Sequence, residues 1–302
     1  MSITNMTPTV NVLISTYNGE RYIREQIDSV LRQTYENVVI YVRDDGSTDK
    51  TIDILKNYEE NHNIILSLGN NIGYGKSFLS LLQQADKGDY WAFCDQDDVW
   101  EDDKLEHALQ CMRGTNDSGP VLYVHDYWLT DENLNPVEVY HNKVKGFDFG
   151  MSITQCVHMG FSTVFNSGFR ELMLKGNIDN IPTHDWWAEL IAMEFATVYE
   201  DDYIGAWHRR LDNSVSGMDI VNRIKWLGRA LKGNSEILSI TGEFERVFAD
   251  DMDINDLNIL RLFVSEKYSL IKAIKKAFYS KRWRTSLSSE CVVRLLMLVG
   301  KI

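Results

Sequence analysis

The chain has little positive charge and no long apolar run, and each shortage excludes a class of protein. Its 302 residues carry 31 Lys and Arg against 44 Asp and Glu, a net charge of −13. Because the phosphate backbone of a nucleic acid binds to basic surfaces, we expect no nucleic-acid partner. No segment reaches the roughly 18 uninterrupted apolar residues that are typical of a membrane-spanning helix.

Cysteine is also scarce, and the four cysteines are scattered: Cys94, Cys111, Cys156 and Cys291. None of them belongs to a CxxC pair, so the sequence predicts reduced thiols rather than a disulfide framework or a thiolate metal site. The polar residues 1–8 lack the apolar core of a signal peptide. Together these features predict a cytoplasmic protein, or one held peripherally at the inner face of the cell membrane.

The basic residues that are present concentrate at the C-terminus. Residues 267–302 carry nine Lys or Arg and one acidic residue, a charge of +8, which leaves −21 on residues 1–266. With the apolar segment 292–299 beside them, these cations suit an anionic membrane surface. The alternative is a solvated face of a helical subdomain or an oligomer contact.

Strand and helix signals alternate through the first half of the chain. Apolar runs at residues 10–14, 38–42, 64–66 and 90–94 predict four strands, and helical spacing follows each of the first three. Repeated βα units predict a mainly parallel sheet with right-handed crossovers and helices on both faces. In such sheets, ligands bind beyond the carboxyl ends of the strands.

Polar residues follow all four predicted strands. Ser15-Thr16 follows the first, Asp44-Asp45 the second, a glycine loop the third and the acidic run DQDD at 95–98 the fourth. Crowded carboxylates repel one another, and a hard divalent cation relieves that repulsion. Residues two apart in an extended segment face the same side, so Asp95 and Asp97 can share one ion. The convergence of polar strand ends favours a metal site over the alternative, a solvated acidic turn.

The rest of the chain changes from a mixed to an all-helical pattern. Strand signals occur at residues 121–124, 161–165 and 197–199, around an aromatic helix at 185–190, and only helical patterns follow residue 220. The sequence therefore predicts a catalytic domain over residues 1–217 and a helical region over 218–302. The donor half of the catalytic domain is placed at 8–125 and the acceptor half at 126–217.

Three motifs carry a resemblance to a known family. ISTYNG at 14–19, DDGSTD at 44–49 and DQDDVW at 95–100 resemble the motifs of the inverting glycosyltransferases of family two. The resemblance covers residues 8–217 and implies the GT-A fold, a Rossmann-like α/β domain, here with a C-terminal helical extension. DQDDVW and HDWW at 184–187 are similar to the bacterial rhamnosyltransferase branch, which builds cell-wall and capsular polysaccharides.

The resemblance implies roles at the nucleotide. Asp45 would bind the imide edge of a pyrimidine, with Ser15 and Thr16 beside the nucleoside, and Lys76 would contact a phosphate. The alternative for Asp45 is a capping turn, since Asp-Asp-Gly-Ser is good turn chemistry. The alternative for Lys76 is an ordinary surface lysine. Because thymine and uracil present the same imide edge, the donor is a dTDP-sugar or a UDP-sugar.

The resemblance also implies a metal centre for Mn²⁺ or Mg²⁺. Asp97 would bind the ion directly, and Asp95 would lie nearer the ribose or a metal-bound water. Downstream, relatives carry a Tyr-Arg-Gln-His-like stretch, and here Leu211 stands where their histidine would be. His208 or Arg209 would contact the diphosphate instead, because arginine suits phosphate through its paired donors.

Asp185 is the candidate general base on the acceptor side. It would take the proton of the acceptor hydroxyl in an inverting displacement that needs no covalent intermediate. Trp186 and Trp187 would wall the acceptor site, since aromatic faces stack on the C–H surfaces of sugars. The alternative is that Asp185 caps its helix and the tryptophans fill the core.

The combined prediction is a metal-dependent inverting transfer of L-rhamnose from dTDP-rhamnose to a saccharide hydroxyl, with a lipid-linked acceptor. One alternative keeps the fold and uses a UDP-hexose donor. Another is an inactive homologue that serves as an assembly subunit, which the presence of Asp45, Asp97 and Asp185 disfavours.

Overall fold

A computed structural model describes residues 7–113, 119–210, 236–264 and 268–302. The predicted boundary at residue 217 and Leu211, the position where relatives carry a histidine, lie outside these residues. The described chain forms two compact units. The sheet unit comprises the residues up to Lys143 with His158–Leu174 and Ala196–Arg210, and the helical unit comprises Val144–Val157, Lys175–Phe195 and the residues from Glu236 onward.

The helices and strands follow one another along the described chain in the order β1 Val10–Thr16, α1 Ile23–Leu31, β2 Val38–Asp44, α2 Thr51–Glu60, β3 Ile65–Leu68, α3 Tyr74–Gln84, β4 Tyr90–Cys94, β5 Val99–Trp100, α4 Lys104–Arg113, β6 Val121–Thr130, β7 Pro136–Tyr140, α5 Phe149–Ser152, a 3₁₀ turn Gly160–Ser162, β8 Thr163–Asn166, α6 Ser167–Met173, α7 His184–Phe195, β9 Thr197–Arg209, α8 Glu236–Phe248, α9 Ile254–Leu260, α10 Leu270–Ala277 and α11 Leu287–Leu298.

The sheet unit holds one sheet whose strands run in the order β3-β2-β1-β4-β8-β6-β9-β5, with β7 on β6. The first four strands are parallel. β1 is buried along its whole length, as the mainly apolar run at residues 10–14 leads one to expect for a strand covered on both faces. Parallel pairing brings the carboxyl ends of β1, β2 and β4 to one edge, where Ser15 lies near the end of β1, and Asp45 and Asp95 directly follow β2 and β4.

The second half of the sheet is mixed, so the expectation of a mainly parallel sheet is wrong beyond β4. β8 pairs antiparallel with both β4 and β6, and β7 and β5 also pair antiparallel with their neighbours. β6 and β9 are parallel. Hydrophobic periodicity reports which face of a strand is buried but carries no information on the direction of its partner.

β9 is much longer than its predicted core at 197–199, and its far end matters for the site. It pairs with β6 through two register shifts between His125 and Tyr127. At its end it pairs with the two-residue strand β5, Val99 opposite Trp207 and Trp100 opposite Ala206. Since β5 directly follows the acidic run at 95–98, this pairing carries His208 to the carboxylates.

The helical unit has an aromatic core. The ring of Trp187 on α7 lies 5.5 Å from that of Phe244 and 5.8 Å from that of Phe248, both on α8. The segments 144–157 and 175–195, assigned from sequence to the acceptor half, belong to this unit with the C-terminal helices. None of the helices in the described ranges combines the length and the apolar character needed to cross a membrane.

Glu194 on α7 makes the stability of this unit pH-dependent. Burial raises the pKa of its carboxyl to about 7, against the N–H of Asp253, which donates to it at 2.7 Å and works in the opposite direction. The folded pKa exceeds the ordinary 4.5, so stability is lost as the pH rises from about 4.5 to about 7. Because the group is half-buried, solvent screening limits the cost to about 1 kcal/mol.

We therefore expect Glu194→Gln to raise the free energy of unfolding above about pH 7 and to leave it unchanged near pH 4. Urea titrations at both pH values measure this. Glu60→Gln, at an exposed carboxyl of α2, is the control. An equal gain at both pH values would show that the substitution acts through packing rather than through the proton.

Candidate active site

Asp45 lies just past the carboxyl end of β2 and is 2% exposed. Its carboxylate accepts hydrogen bonds from the N–H groups of Ile72 at 3.0 Å and Gly73 at 2.9 Å, and it forms an ion pair with Arg43. Gly73 has φ +85°, a conformation that side chains with a Cβ rarely adopt. The loop ahead of α3 is therefore fastened to β2 through Asp45.

Hydroxyl groups extend this arrangement to β1. Ser15 Oγ donates to Ser77 Oγ at 2.6 Å, and Arg43 Nη1 donates to the same Ser77 oxygen at 3.1 Å. Thr16 Oγ1 donates to Asp44 Oδ2 at 3.0 Å. The structure thus brings the predicted nucleotide residues Ser15, Thr16 and Asp45 into neighbouring hydrogen-bonded groups. Lys76 lies in the first turn of α3 and is partly exposed.

Asp95, Asp98 and His208 form an acidic cluster, with ligand atoms all within 4.8 Å of one another. His208 Nδ1 lies 2.8 Å from Asp98 Oδ1, and the N–H of Arg209 donates to that oxygen at 3.2 Å. Asp98 is fully buried, and within the described ranges its Oδ2 has no hydrogen-bond partner. A buried carboxylate oxygen without a donor is costly, and carboxylate oxygens are ligands that suit Mn²⁺ or Mg²⁺. The cluster therefore fits a divalent cation.

The charge of His208 depends on the same carboxylates. Burial favours the neutral ring, but the charge of Asp98 and then those of Asp95 and Asp97 outweigh burial and raise the pKa of His208 to about 9. The ring stacks on Phe161 with centroids 4.5 Å apart, which fixes its orientation. The carboxylates thus hold a positive charge in their midst, and a bound cation would displace that proton.

Asp97 stands beside this cluster rather than within it. Burial and the charge of Asp98 raise the pKa of Asp97 to about 6. Its backbone carbonyl accepts a hydrogen bond from Arg209 Nη1 at 2.7 Å. A nearby cation would lower the pKa of Asp97 and keep it ionised.

Arg209 holds the acidic loop, residues 95–98, in position. Its guanidinium is 3% exposed, forms an ion pair with Glu25 and lies 4.7 Å from the centre of the Tyr22 ring. With the bond to the Asp97 carbonyl, these contacts hold the loop from the side of α1. The predicted contact between Arg209 and the diphosphate stays a prediction.

Gln96 and Asp98 are site residues to which sequence reasoning gave no functional role. Gln96 Oε1 accepts from the N–H of Tyr17 at 2.9 Å, and its Nε2 donates to the Tyr17 carbonyl at 3.2 Å, which joins the loops after β1 and β4. Nothing in the local sequence points to that pairing. Asp98 could have been identified from its position, directly before the apolar pair that begins the next strand. A carboxylate that its apolar neighbours carry into the protein interior needs a partner there.

Asp185 belongs to the helical unit, in the first turn of α7, and is partly exposed. Its Oδ1 accepts from the N–H of Trp186 at 2.9 Å. The indole of Trp186 donates to the Ser152 carbonyl at 2.7 Å and is also partly exposed. Trp187 is fully buried in the aromatic core. Of the two tryptophans, only Trp186 presents surface to a ligand.

A second cluster, His107, Cys111 and Asp201, also has metal-ligating side chains close together. Its atoms satisfy one another without an ion. Asp201 Oδ2 lies 2.8 Å from His107 Nε2 and accepts from Tyr123 Oη at 3.0 Å and Cys111 Sγ at 3.4 Å. Against the effect of burial, these hydrogen bonds hold the pKa of Asp201 below its ordinary value. The cluster ties α4 to β9.

Comparison with known proteins decides the family. Residues 11–174, more than half of the chain, match the family described as Glycosyl transferase family 2. The chain belongs to this family. The family identified from the motifs at 14–19, 44–49 and 95–100 is thereby confirmed.

Two curated relatives match this chain over most of their own length. The dTDP-rhamnosyl transferase RfbG of Shigella flexneri is 27% identical over 80% of this chain and 87% of its own length. TuaG of Bacillus subtilis, assigned provisionally to teichuronic acid biosynthesis, is 29% identical over 71% of this chain and 84% of its own. An uncharacterised glycosyltransferase of Rickettsia felis is 35% identical over 41% of this chain, which spans 20% of that protein.

Solved structures share the fold. S. aureus TarS 1–349 superposes with a TM-score of 0.60 at 17% identity, over 97% of this chain and 81% of that one. The mannosyltransferase PcManGT of Pyrobaculum calidifontis, in complex with GDP-Man and Mn²⁺, gives 0.52 at 16% identity, over 99% and 82%. The predicted GT-A-like α/β fold with C-terminal helices is confirmed.

Proposed function

We propose that this family 2 enzyme transfers L-rhamnose from dTDP-rhamnose to a saccharide hydroxyl, with inversion and with a divalent cation, in cell-surface polysaccharide synthesis. The observation that carries the proposal is the buried Oδ2 of Asp98, which has no hydrogen-bond partner among the described residues and lies next to Asp95 and His208 at the edge of the sheet. The choice of rhamnose rests on the match to RfbG along 80% of the chain.

The nucleotide would bind along β1 and β2. In this proposal Asp45 accepts the imide N–H of thymine, and Ser15 and Thr16 contact the nucleoside. The bonds from Ile72 and Gly73 hold the Asp45 carboxylate in place before the base arrives, so little ordering remains for binding to drive. Lys76, at the start of α3, would contact a phosphate.

Asp95, Asp98 and His208 would hold Mn²⁺ or Mg²⁺, with the predicted ligand Asp97 beside them. Such an ion would neutralise negative charge on the diphosphate leaving group. Arg209 and Gln96 keep the acidic loop in position through Asp97 and Tyr17. Phe161 keeps the imidazole of His208 in its orientation.

On the acceptor side, Asp185 would take the proton of the attacking hydroxyl. Trp186 would stack on the acceptor sugar, because part of its ring is exposed while its N–H is fixed to Ser152. Trp187 would support α7 from the core. The acceptor is proposed to be a lipid-linked saccharide that the enzyme meets at the inner face of the cell membrane.

The test is a donor panel of dTDP-rhamnose, UDP-glucose and UDP-N-acetylglucosamine with Mn²⁺ or Mg²⁺, read as release of nucleoside diphosphate. We expect dTDP-rhamnose to turn over fastest and EDTA to abolish the reaction, with recovery when the ion is restored. Preference for a UDP-hexose would replace the proposed donor but keep the reaction. Full activity in EDTA would contradict the metal centre.

A further inference from the structure

α10 exposes its large apolar side chains, which is the reverse of what an ordinary surface helix does. It buries the small side chains Ala273 and Ala277 together with Lys276. A surface helix normally turns its large apolar side chains toward the core. Here the large ones point outward: Leu270 is 60% exposed, Ile271 70% and Ile274 45%, and Phe278 at the end of the helix is 76% exposed.

These four side chains share one side of α10, since positions i, i+1, i+4 and i+8 fall within about 100° of the helix circumference. α11 packs against α10 and exposes further apolar residues, Leu287 at 72%, Leu295 at 63% and Val299 at 63%. We call these seven residues the tail surface. Exposed apolar residues that occur singly need no explanation, but a group of this kind marks an interaction site.

The charge around the tail surface indicates what covers it. Lys275 and Arg282 are exposed and form no ion pair with any residue of the described ranges. Lys275 lies at the border of the apolar side of α10, four residues after Ile271 and three before Phe278. The C-terminal 36 residues carry +8 in a chain whose other residues carry −21. In a two-fold dimer formed through this surface, the basic tails of the two copies would face each other and repel, whereas the headgroups of an anionic lipid surface attract them.

We propose that the tail surface docks the protein onto an anionic lipid bilayer. The outward side chains of α10 and α11 enter the boundary between headgroups and acyl chains, and Lys275 and Arg282 contact lipid phosphates. Docking involves neither the donor nor the metal, so it stands or falls independently of the proposed transfer reaction.

The test is co-sedimentation of the full chain with vesicles of phosphatidylcholine alone or mixed with phosphatidylglycerol. We expect binding to the mixed vesicles, weakened by salt because lipid charge is screened. Ile271→Ser/Phe278→Ser should reduce the partition coefficient about tenfold or more, through loss of buried apolar area. Lys275→Gln/Arg282→Gln should reduce binding to the anionic vesicles and not to the neutral ones.

The matched control is Ile254→Ser/Val137→Ser, which removes apolar side chains that are 61% and 67% exposed outside the tail surface. It should bind like the wild type. Wild-type protein that stays in the supernatant, or an Ile271→Ser/Phe278→Ser variant that binds unchanged, would overturn the proposal. So would a wild-type dimer in gel filtration that this variant dissociates while vesicles fail to bind, because the tail surface would then join two copies.

Discussion

Replacing Asp185 with Asn is expected to lower the turnover number by a factor of about 10² to 10⁴, the range that general acid–base catalysis spans. The amide cannot take a proton from the acceptor hydroxyl. It keeps the size of the side chain and an oxygen that can still accept from the N–H of Trp186. We therefore expect an unchanged melting temperature and unchanged affinity for dTDP.

Asp179→Asn is the matched control for that variant, because it removes an exposed carboxylate from the same unit just ahead of α7. It should turn over like the wild type. If Asp185→Asn is equally active, the base is another residue. If it is inactive but melts well below the wild type, Asp185 has only a capping role in α7.

Asp98→Asn is expected to lower activity at least about 100-fold at low Mn²⁺, since even indirect partners of a metal cost 10- to 100-fold when lost. The substitution removes the buried charge next to His208 and so lowers the pKa of that ring from about 9. Part of the activity should return at high Mn²⁺, because the lost interaction is metal affinity rather than chemistry.

Two comparison variants sharpen this result. Asp102→Asn removes a carboxylate that is 63% exposed, four residues further along the chain, and should have no effect on metal dependence. Asp97→Asn tests the ligand predicted from the sequence motif. A smaller loss in Asp97→Asn than in Asp98→Asn would assign the direct bond to Asp98, and the reverse would assign it to Asp97. Wild-type metal dependence in both variants would contradict a metal at this cluster.

Much of the parallel half of the sheet was predictable, because buried parallel strands appear in the sequence as short apolar runs. β4 was predicted at its observed bounds, Tyr90–Cys94, and β1 and β2 each extend two residues further than predicted. The extensions consist of Ser15-Thr16 and Arg43-Asp44, polar residues that join the ladder at the site. A prediction from apolar residues alone ends a strand too early where buried polar residues continue it.

The acidic cluster was only half predictable. Asp95 was identified from spacing, but its partners come from tertiary contacts. His208 reaches Asp98 because β9 continues ten residues beyond its apolar core to pair with β5. The contacts Arg209–Glu25 and Gln96–Tyr17 join residues that are 184 and 79 positions apart in the sequence. No local pattern encodes such pairs, because they depend on which strands become neighbours.

The buried state of Trp187 illustrates a further limit. HDWW at 184–187 contains two adjacent tryptophans. Because adjacent residues of a helix point about 100° apart, the two rings cannot both lie on the side of the helix that carries Asp185. The structure turns Trp187 to Phe244 and Phe248 and leaves Trp186 partly exposed. Which of the two faces inward depends on α8, which sequence reasoning did not predict.

The most direct test of the metal-centred account is the position of Mn²⁺ in crystals grown with dTDP, located by anomalous scattering. We expect one strong peak within bonding distance of Asp98 Oδ2 and close to Asp95 and His208. A peak bound elsewhere on the protein, or dTDP bound in full occupancy with no peak at this cluster, would contradict the account.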